Sequence, residues 1–107
     1  MRVLLDECVP KRFARLLVGH TVRTVPQEGL SGKKNGELLG LMVAAGFQVF
    51  VTVDQGIPYQ QNLVSSGVAV VILIGASNQL ADLAPLAPDV LNQLVTIQAG
   101  DVVHVRI

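Results

Sequence analysis

A chain of 107 residues, half of them apolar and only 15% charged, suffices for one domain with a substantial buried core and excludes an extensively disordered protein. Eight basic residues balance eight acidic ones, so no whole-molecule field draws nucleic acid or an anionic membrane, and any such binding must be local. The single cysteine, Cys8, excludes an internal disulfide, and without a signal-like or membrane-length apolar stretch the expected location is the cytoplasm, with no membrane partner.

Arg2 to Leu5 reads as a short strand. Pro10 suits the first turn of a helix whose Val9, Phe13, Leu16 and Leu17 share one face, and Gly19 ends it. Thr21 to Val25 reads as a second strand, followed by a polar loop from Pro26 to Lys34. Asn35 is placed to cap the next helix, with Glu37 in its first turn, Leu38, Leu39, Met42 and Val43 as its apolar stripe, and Gly46 as its stop. Phe47 to Val53 reads as a third strand, Pro58 to Val64 as a short helix, and Val68 to Ile74 as a strand apolar enough to be covered on both faces. Ser77 or Asn78 is placed to cap a further helical region, which Pro85 and Pro88 break or kink before Leu94. Gly100 and Asp101 turn the chain into a last strand, Val102 to Arg106. Five strands alternating with helices predict a three-layer α/β/α sandwich on a mostly parallel five-stranded sheet, as one domain over residues 1–107.

In such a sheet the strand-to-helix loops share one edge, the edge where α/β folds bind ligands. Asp6 and Glu7 follow the first strand, Asn35 and Glu37 open the helix after the second, Asp54 follows the third, and Ser77 and Asn78 follow the fourth. One acid before a helix is commonly a cap or a solvated side chain. Several on one edge form an oxygen-rich cluster suited to Mg²⁺ or Mn²⁺, which bind one or two carboxylates together with a substrate phosphate and activate water. The chemistry this predicts is phosphodiester hydrolysis.

Five of the eight basic residues, Lys11, Arg12, Arg15, Lys33 and Lys34, lie in the first helix or just before the second. They are either phosphate contacts beside the acidic edge or a solvated basic surface, with Lys33 and Lys34 the better placed. Gln60, Gln61 and Asn62 form a polar cluster beyond Asp54, either positioning a nucleotide or sitting in a surface turn. His20 and His104 are expected away from the acids, and Cys8 is expected as a small buried thiol. With 4% aromatics and no tryptophan, base stacking is not expected to dominate recognition.

The opening Val3-Leu4-Leu5-Asp6-Glu7 with Pro10 and a basic helix, the segment Gly29-Leu30-Ser31-Gly32 with Asn35-Gly36-Glu37-Leu38-Leu39, and Val51-Thr52-Val53-Asp54 together resemble the PIN-like domains. They are most similar to the small bacterial members grouped with the toxins of toxin-antitoxin modules, over residues 1 to about 75. The resemblance implies a metal-dependent ribonuclease acting on single-stranded RNA, with a cognate antitoxin or a second copy as protein partner. It implies Mg²⁺ or Mn²⁺ held by Asp6 and Asp54, with Glu37 completing the site or orienting the attacking water and Asn35 and Glu7 as accessory groups. Relatives often carry aspartate where this chain has Asn35, and the fourth acid of the pattern has no clear match, with Ser77, Asn78 and Asp82 as candidates. Two other readings stay open. One is a PIN-like binding or assembly module without catalysis. The other is a phospho-receiver domain, which shares an acidic pair after strand one and an aspartate after strand three but needs a lysine after strand five, where this chain has Val105-Arg106-Ile107.

Overall fold

The computed structural model describes residues 1–107. Its five strands are β1 (Arg2–Leu5), β2 (Thr21–Thr24), β3 (Val49–Thr52), β4 (Ala69–Ile74) and β5 (Val102–Arg106). They form one sheet in the order β2-β1-β3-β4-β5, and all four pairings are parallel. Every residue of β3 is buried, as are the first five of β4, whereas the edge strands β2 and β5 alternate or stay open. This follows from coverage: central strands of a parallel sheet meet helices on both faces, so both sets of side chains must be apolar.

The helices α1 (Asn35–Ala44), α2 (Ile57–Gln60), α3 (Leu80–Leu83) and α4 (Ala87–Thr96) complete a three-layer α/β/α sandwich with a 3-10 helix at Lys11–Leu16. Val3, Leu5, Val49, Val51, Ala69, Val71 and Leu73 point to one face, where they meet Phe13 and Leu17 of the first connection and Leu83, Leu86, Val90 and Leu94 of the last. Leu4, Phe50, Val70 and Ile72 point to the other, against Leu38, Leu39 and Met42 of α1 and Ile57 of α2. The β4-to-β5 connection thus lies on the same face as the β1-to-β2 connection but runs the opposite way along the sheet. It has the opposite hand to the other three, an exception to the usual uniformity of parallel crossovers. The reason is coverage: without it, one face of β3 and β4 would rest on a six-residue 3-10 helix alone.

Three expectations are corrected here. The first helix is 3-10 rather than α, and Leu16 is 37% exposed instead of joining Phe13 in the core. Six residues of 3-10 helix rise about 12 Å against about 9 Å for α, closer to the roughly 13 Å that a four-residue strand advances and the connection must retrace. Phe13, fully buried, anchors the segment, a burial that contributes roughly 1.5–3 kcal/mol. Asn35 does not cap α1: Lys34 is the N-cap residue and Asn35 is the first helical one, its side chain turned elsewhere. Ser77 and Asn78 do not cap α3 either, since the N-cap residue is Gln79.

The end of α1 is as expected. Gly46 takes φ +86°, its N–H donates to Val43 at 3.0 Å, and the N–H of Phe47 donates to Met42 at 2.9 Å. This is a Schellman closure, in which glycine adopts the left-handed conformation without a Cβ penalty and the flanking Phe47 and Met42 enter one core cluster. Pro85 and Pro88 split the last helical region as expected, with a 3-10 turn at Ala84–Leu86 between α3 and α4.

Candidate functional site

In this strand order the chain reverses direction across the sheet between β1 and β3, and a crevice opens beyond their C-terminal ends. Asp6 and Asp54 emerge there. The Asp6 N–H donates to the Val51 carbonyl at 2.9 Å, which carries the β1–β3 ladder one residue past β1 and fixes Asp6 against its neighbour strand. Thr52 is fully buried at the end of β3. Its Oγ1 donates to Asp6 Oδ2 at 2.7 Å and accepts the Asp54 N–H at 3.0 Å. Asp54 Oδ1 accepts the Gly56 N–H at 2.8 Å, and Asp54 Oδ2 accepts Nδ2 of Asn35 at 3.3 Å. Asp6 Oδ1 accepts the N–H of Glu7 at 2.8 Å. Asp6, Thr52, Asp54 and Asn35 therefore stand in one hydrogen-bonded chain drawn from β1, β3 and α1.

Neither aspartate has a cationic partner: the ion pairs of the molecule are Arg23–Glu28 at 3.2 Å and Lys33–Glu37 at 3.4 Å. Two half-exposed carboxylates are thus oriented by N–H and O–H dipoles without being neutralised. No group of three or more His, Cys, Asp or Glu side chains is arranged to hold a metal ion. A hard divalent cation that keeps several waters needs only one or two protein carboxylates, a requirement that Asp6 and Asp54 could meet without the Thr52 hydroxyl, which is already engaged with both. Asn35 uses its amide N–H on Asp54, the orienting contact that ligand carboxylates commonly receive.

The remaining sequence candidates scatter. Glu7 Oε1 accepts the Gly32 N–H at 2.9 Å, which draws it toward the loop after β2. Glu37 pairs with Lys33 one helical turn away, its side chain 57% exposed. Lys34 is exposed beside Asn35. Lys11, Arg12 and Arg15 line clefts along the 3-10 helix, on the opposite face of the sheet from Asn35. Gln60 and Gln61 reach back to the edge: Gln60 Nε2 and Asp54 Oδ1 each lie 3.2 Å from the point a Cβ on Gly56 would occupy, and Gln61 Oε1 lies 3.1 Å from that point on Gly36. Ser77 donates to Asp82 and accepts the Gln79 N–H, a local closure, and Asn78 is exposed. His20 lies 3.1 Å from the amino terminus, its pKa lowered by desolvation and then by that positive charge. His104 is exposed on β5.

Cys8 departs from the expectation of a buried thiol. The residue is exposed, with Sγ 3.3 Å from Asp6 Oδ2, to which it donates, and 3.8 Å from Thr52 Oγ1. Partial burial of the sulfur raises its pKa above the ordinary value, and the negative charge of Asp6 pushes the same way. Thr52 and Gly56 are the site residues that sequence reasoning passed over. The signal for Thr52 was the one hydroxyl inside the run Val49-Phe50-Val51-Thr52-Val53.

No family model, no curated protein and no solved structure matches this chain. The molecule has a small α/β architecture, a parallel five-stranded sheet flanked by helices, consistent with a PIN-like fold. No helix is long and apolar enough to cross a membrane.

Proposed function

We propose that the protein is a metal-dependent ribonuclease acting on single-stranded RNA, with the toxin role of a toxin-antitoxin module as its biological setting. The observation that carries the reading is the coupling of Asp6 and Asp54 through Thr52 at the reversal point of the sheet, with no cation of the chain to balance them. Asp6 and Asp54 would hold Mg²⁺ or Mn²⁺. When bound, the ion supplies charge stabilisation at a phosphate oxygen and a water of lowered pKa. Thr52, Asn35 and the Gly56 N–H hold the two carboxylates in fixed orientation, so little reorganisation is needed when charge arrives. The Gln60 amide, on the same side of Gly56 as Asp54, would donate to a phosphate oxygen. Glu37, bound to Lys33, is not needed as a ligand in this reading. A cognate antitoxin or a second copy of the chain belongs to the same proposal.

The test is cleavage of a single-stranded RNA with Mg²⁺ or Mn²⁺ by wild type, Asp6→Asn and Asp54→Asn. The reading expects cleavage that chelation abolishes and that either substitution lowers at least a hundredfold; activity surviving both sinks it. A second reading, a binding or assembly module without catalysis, is favoured by Asn35 in place of a third acid and by Glu37 turned away to Lys33. Calorimetry that detects no Mg²⁺ or Mn²⁺ binding to the wild type would make that reading the leading one.

A further inference from the structure

The 3-10 helix carries Lys11, Arg12 and Arg15 within five consecutive positions of a chain whose net charge is zero. None of them forms an ion pair, since the only two pairs involve Arg23 and Lys33. Phe13 and Leu17, buried in the core, pin the segment to the sheet and leave the cationic side chains to the outer surface. A 3-10 helix brings positions i and i+3 into line, so Arg12 and Arg15 form one row. Two clefts run beside this row. One, of about 540 Å³, is lined by Glu7, Lys11, Thr24 and Gln27 among others, and the next, of about 480 Å³, by Lys11, Arg12, Arg15 and Gln27. Shared walls at Lys11 and Gln27 make them one groove. It starts at Glu7, next to Asp6, and leads away along the helix.

The groove therefore presents three unneutralised cations against the single carboxylate of Glu7, which is held by the Gly32 N–H. Val9, Pro10 and Pro26 add apolar wall to the first cleft, but neither cleft contains an aromatic ring, so the groove has no platform for a base. That chemistry suits a polyanion gripped by its phosphates. We infer that this groove binds the phosphodiester backbone of a nucleic-acid single strand and guides it to the edge where Asp6 and Asp54 emerge. The inference rests on the ribonuclease reading only for what happens at that edge. It also moves the phosphate contacts away from Lys33, which Glu37 already engages.

The test is fluorescence anisotropy with twelve-nucleotide oligouridylate and oligothymidylate between 50 and 200 mM salt, in EDTA so that no cleavage occurs. Each phosphate contact on a single strand contributes about 0.7 to the salt slope, so replacing Lys11, Arg12 and Arg15 together by Gln should lower the slope by about 2. The salt-induced loss of affinity over that fourfold range should shrink by roughly 20-fold. Arg23→Gln removes the same kind of charge from β2 and should leave the slope within half a unit of wild type. The charge-conserving triple variant Lys11→Arg, Arg12→Lys, Arg15→Lys should keep the wild-type slope, separating charge from any effect on folding. Phosphate contacts do not read the 2′-hydroxyl, so the fall is expected on both oligonucleotides. No fall on either, or a fall on RNA alone, overturns the inference. Metal-dependent cleavage with an unchanged slope sinks the groove and spares the ribonuclease; a lowered slope in a protein that never cleaves does the reverse.

Discussion

Thr52 and Asp6, 46 positions apart in sequence, meet at 2.7 Å, with the threonine hydroxyl donating to the carboxylate. The same oxygen accepts the Asp54 N–H, so one fully buried side chain ties together the two acids that the strand order brings to a single edge. Thr52→Val keeps the shape but leaves an Asp54 N–H unpaired and removes a hydrogen bond to a charged group. Such losses cost about 2 kcal/mol. For a domain of this size the expected fall in Tm is about 10 °C. Thr52→Ser should recover most of it. Thermal unfolding of the two variants followed by circular dichroism decides the point, and equal melting of Thr52→Val and wild type would show that the hydroxyl bridge contributes nothing.

Cys8 gives a pH-dependent readout of Asp6. Its raised thiol pKa means that the folded state favours the protonated form. The associated stability is complete below the ordinary thiol pKa of 9.0 and is lost as pH rises through the higher folded value. Since the thiolate is the nucleophile, alkylation of folded protein by iodoacetamide should be slower at pH 8 than that of the unfolded chain, despite the exposure of Cys8. Its rate should rise with a midpoint above 9.0. Asp6→Asn removes one of the raising influences and should shift that midpoint down. A wild-type midpoint at or below 9.0 would contradict the geometry.

Asn35 and Glu37 separate what the sequence carried from what it did not. The strands, the kink at Pro85 and Pro88 and the convergence of Asp6 with Asp54 were legible because apolar runs and breakers fix them locally, and parallel topology then dictates where strand ends go. Side-chain direction was not legible. Whether Asn35 caps its helix or reaches Asp54 depends on a partner 19 residues away, and Glu37 has a lysine at i−4 that competes for it. The hand of the last connection escaped for a similar reason, since it depends on which face the rest of the chain leaves uncovered.

These placements fix opposite outcomes for two substitutions at α1. Glu37→Gln breaks only an exposed ion pair, so stability should change by less than about 0.5 kcal/mol and Mg²⁺ or Mn²⁺ affinity by less than twofold. Asn35→Asp gives up the N–H that orients Asp54 but puts a third negative charge beside it, and with ligand charge the larger influence it should raise affinity by about tenfold. Calorimetric titration of both variants checks the pair; a large loss of metal affinity in Glu37→Gln would restore the glutamate as a ligand.

Tyr59 is 92% exposed on the short helix α2, adjacent to Gln60, whose amide and the Asp54 carboxylate both approach Gly56. An aromatic ring left bare in water gains nothing for the fold, whereas a base stacked on it is worth about 1–3 kcal/mol by alanine substitution. It is the only tyrosine, and the chain has no tryptophan to share the role. Tyr59→Ala is therefore expected to leave the melting temperature within about 2 °C of wild type while weakening oligouridylate binding at least fivefold, an effect that persists at high salt because stacking is not screened. The groove along Lys11, Arg12 and Arg15 should behave oppositely, its contribution fading as salt rises. Measuring Tyr59→Ala at 50 and 200 mM salt distinguishes the two: a loss that vanishes at the higher concentration would place Tyr59 outside the path of the strand, and the bases would then need another platform.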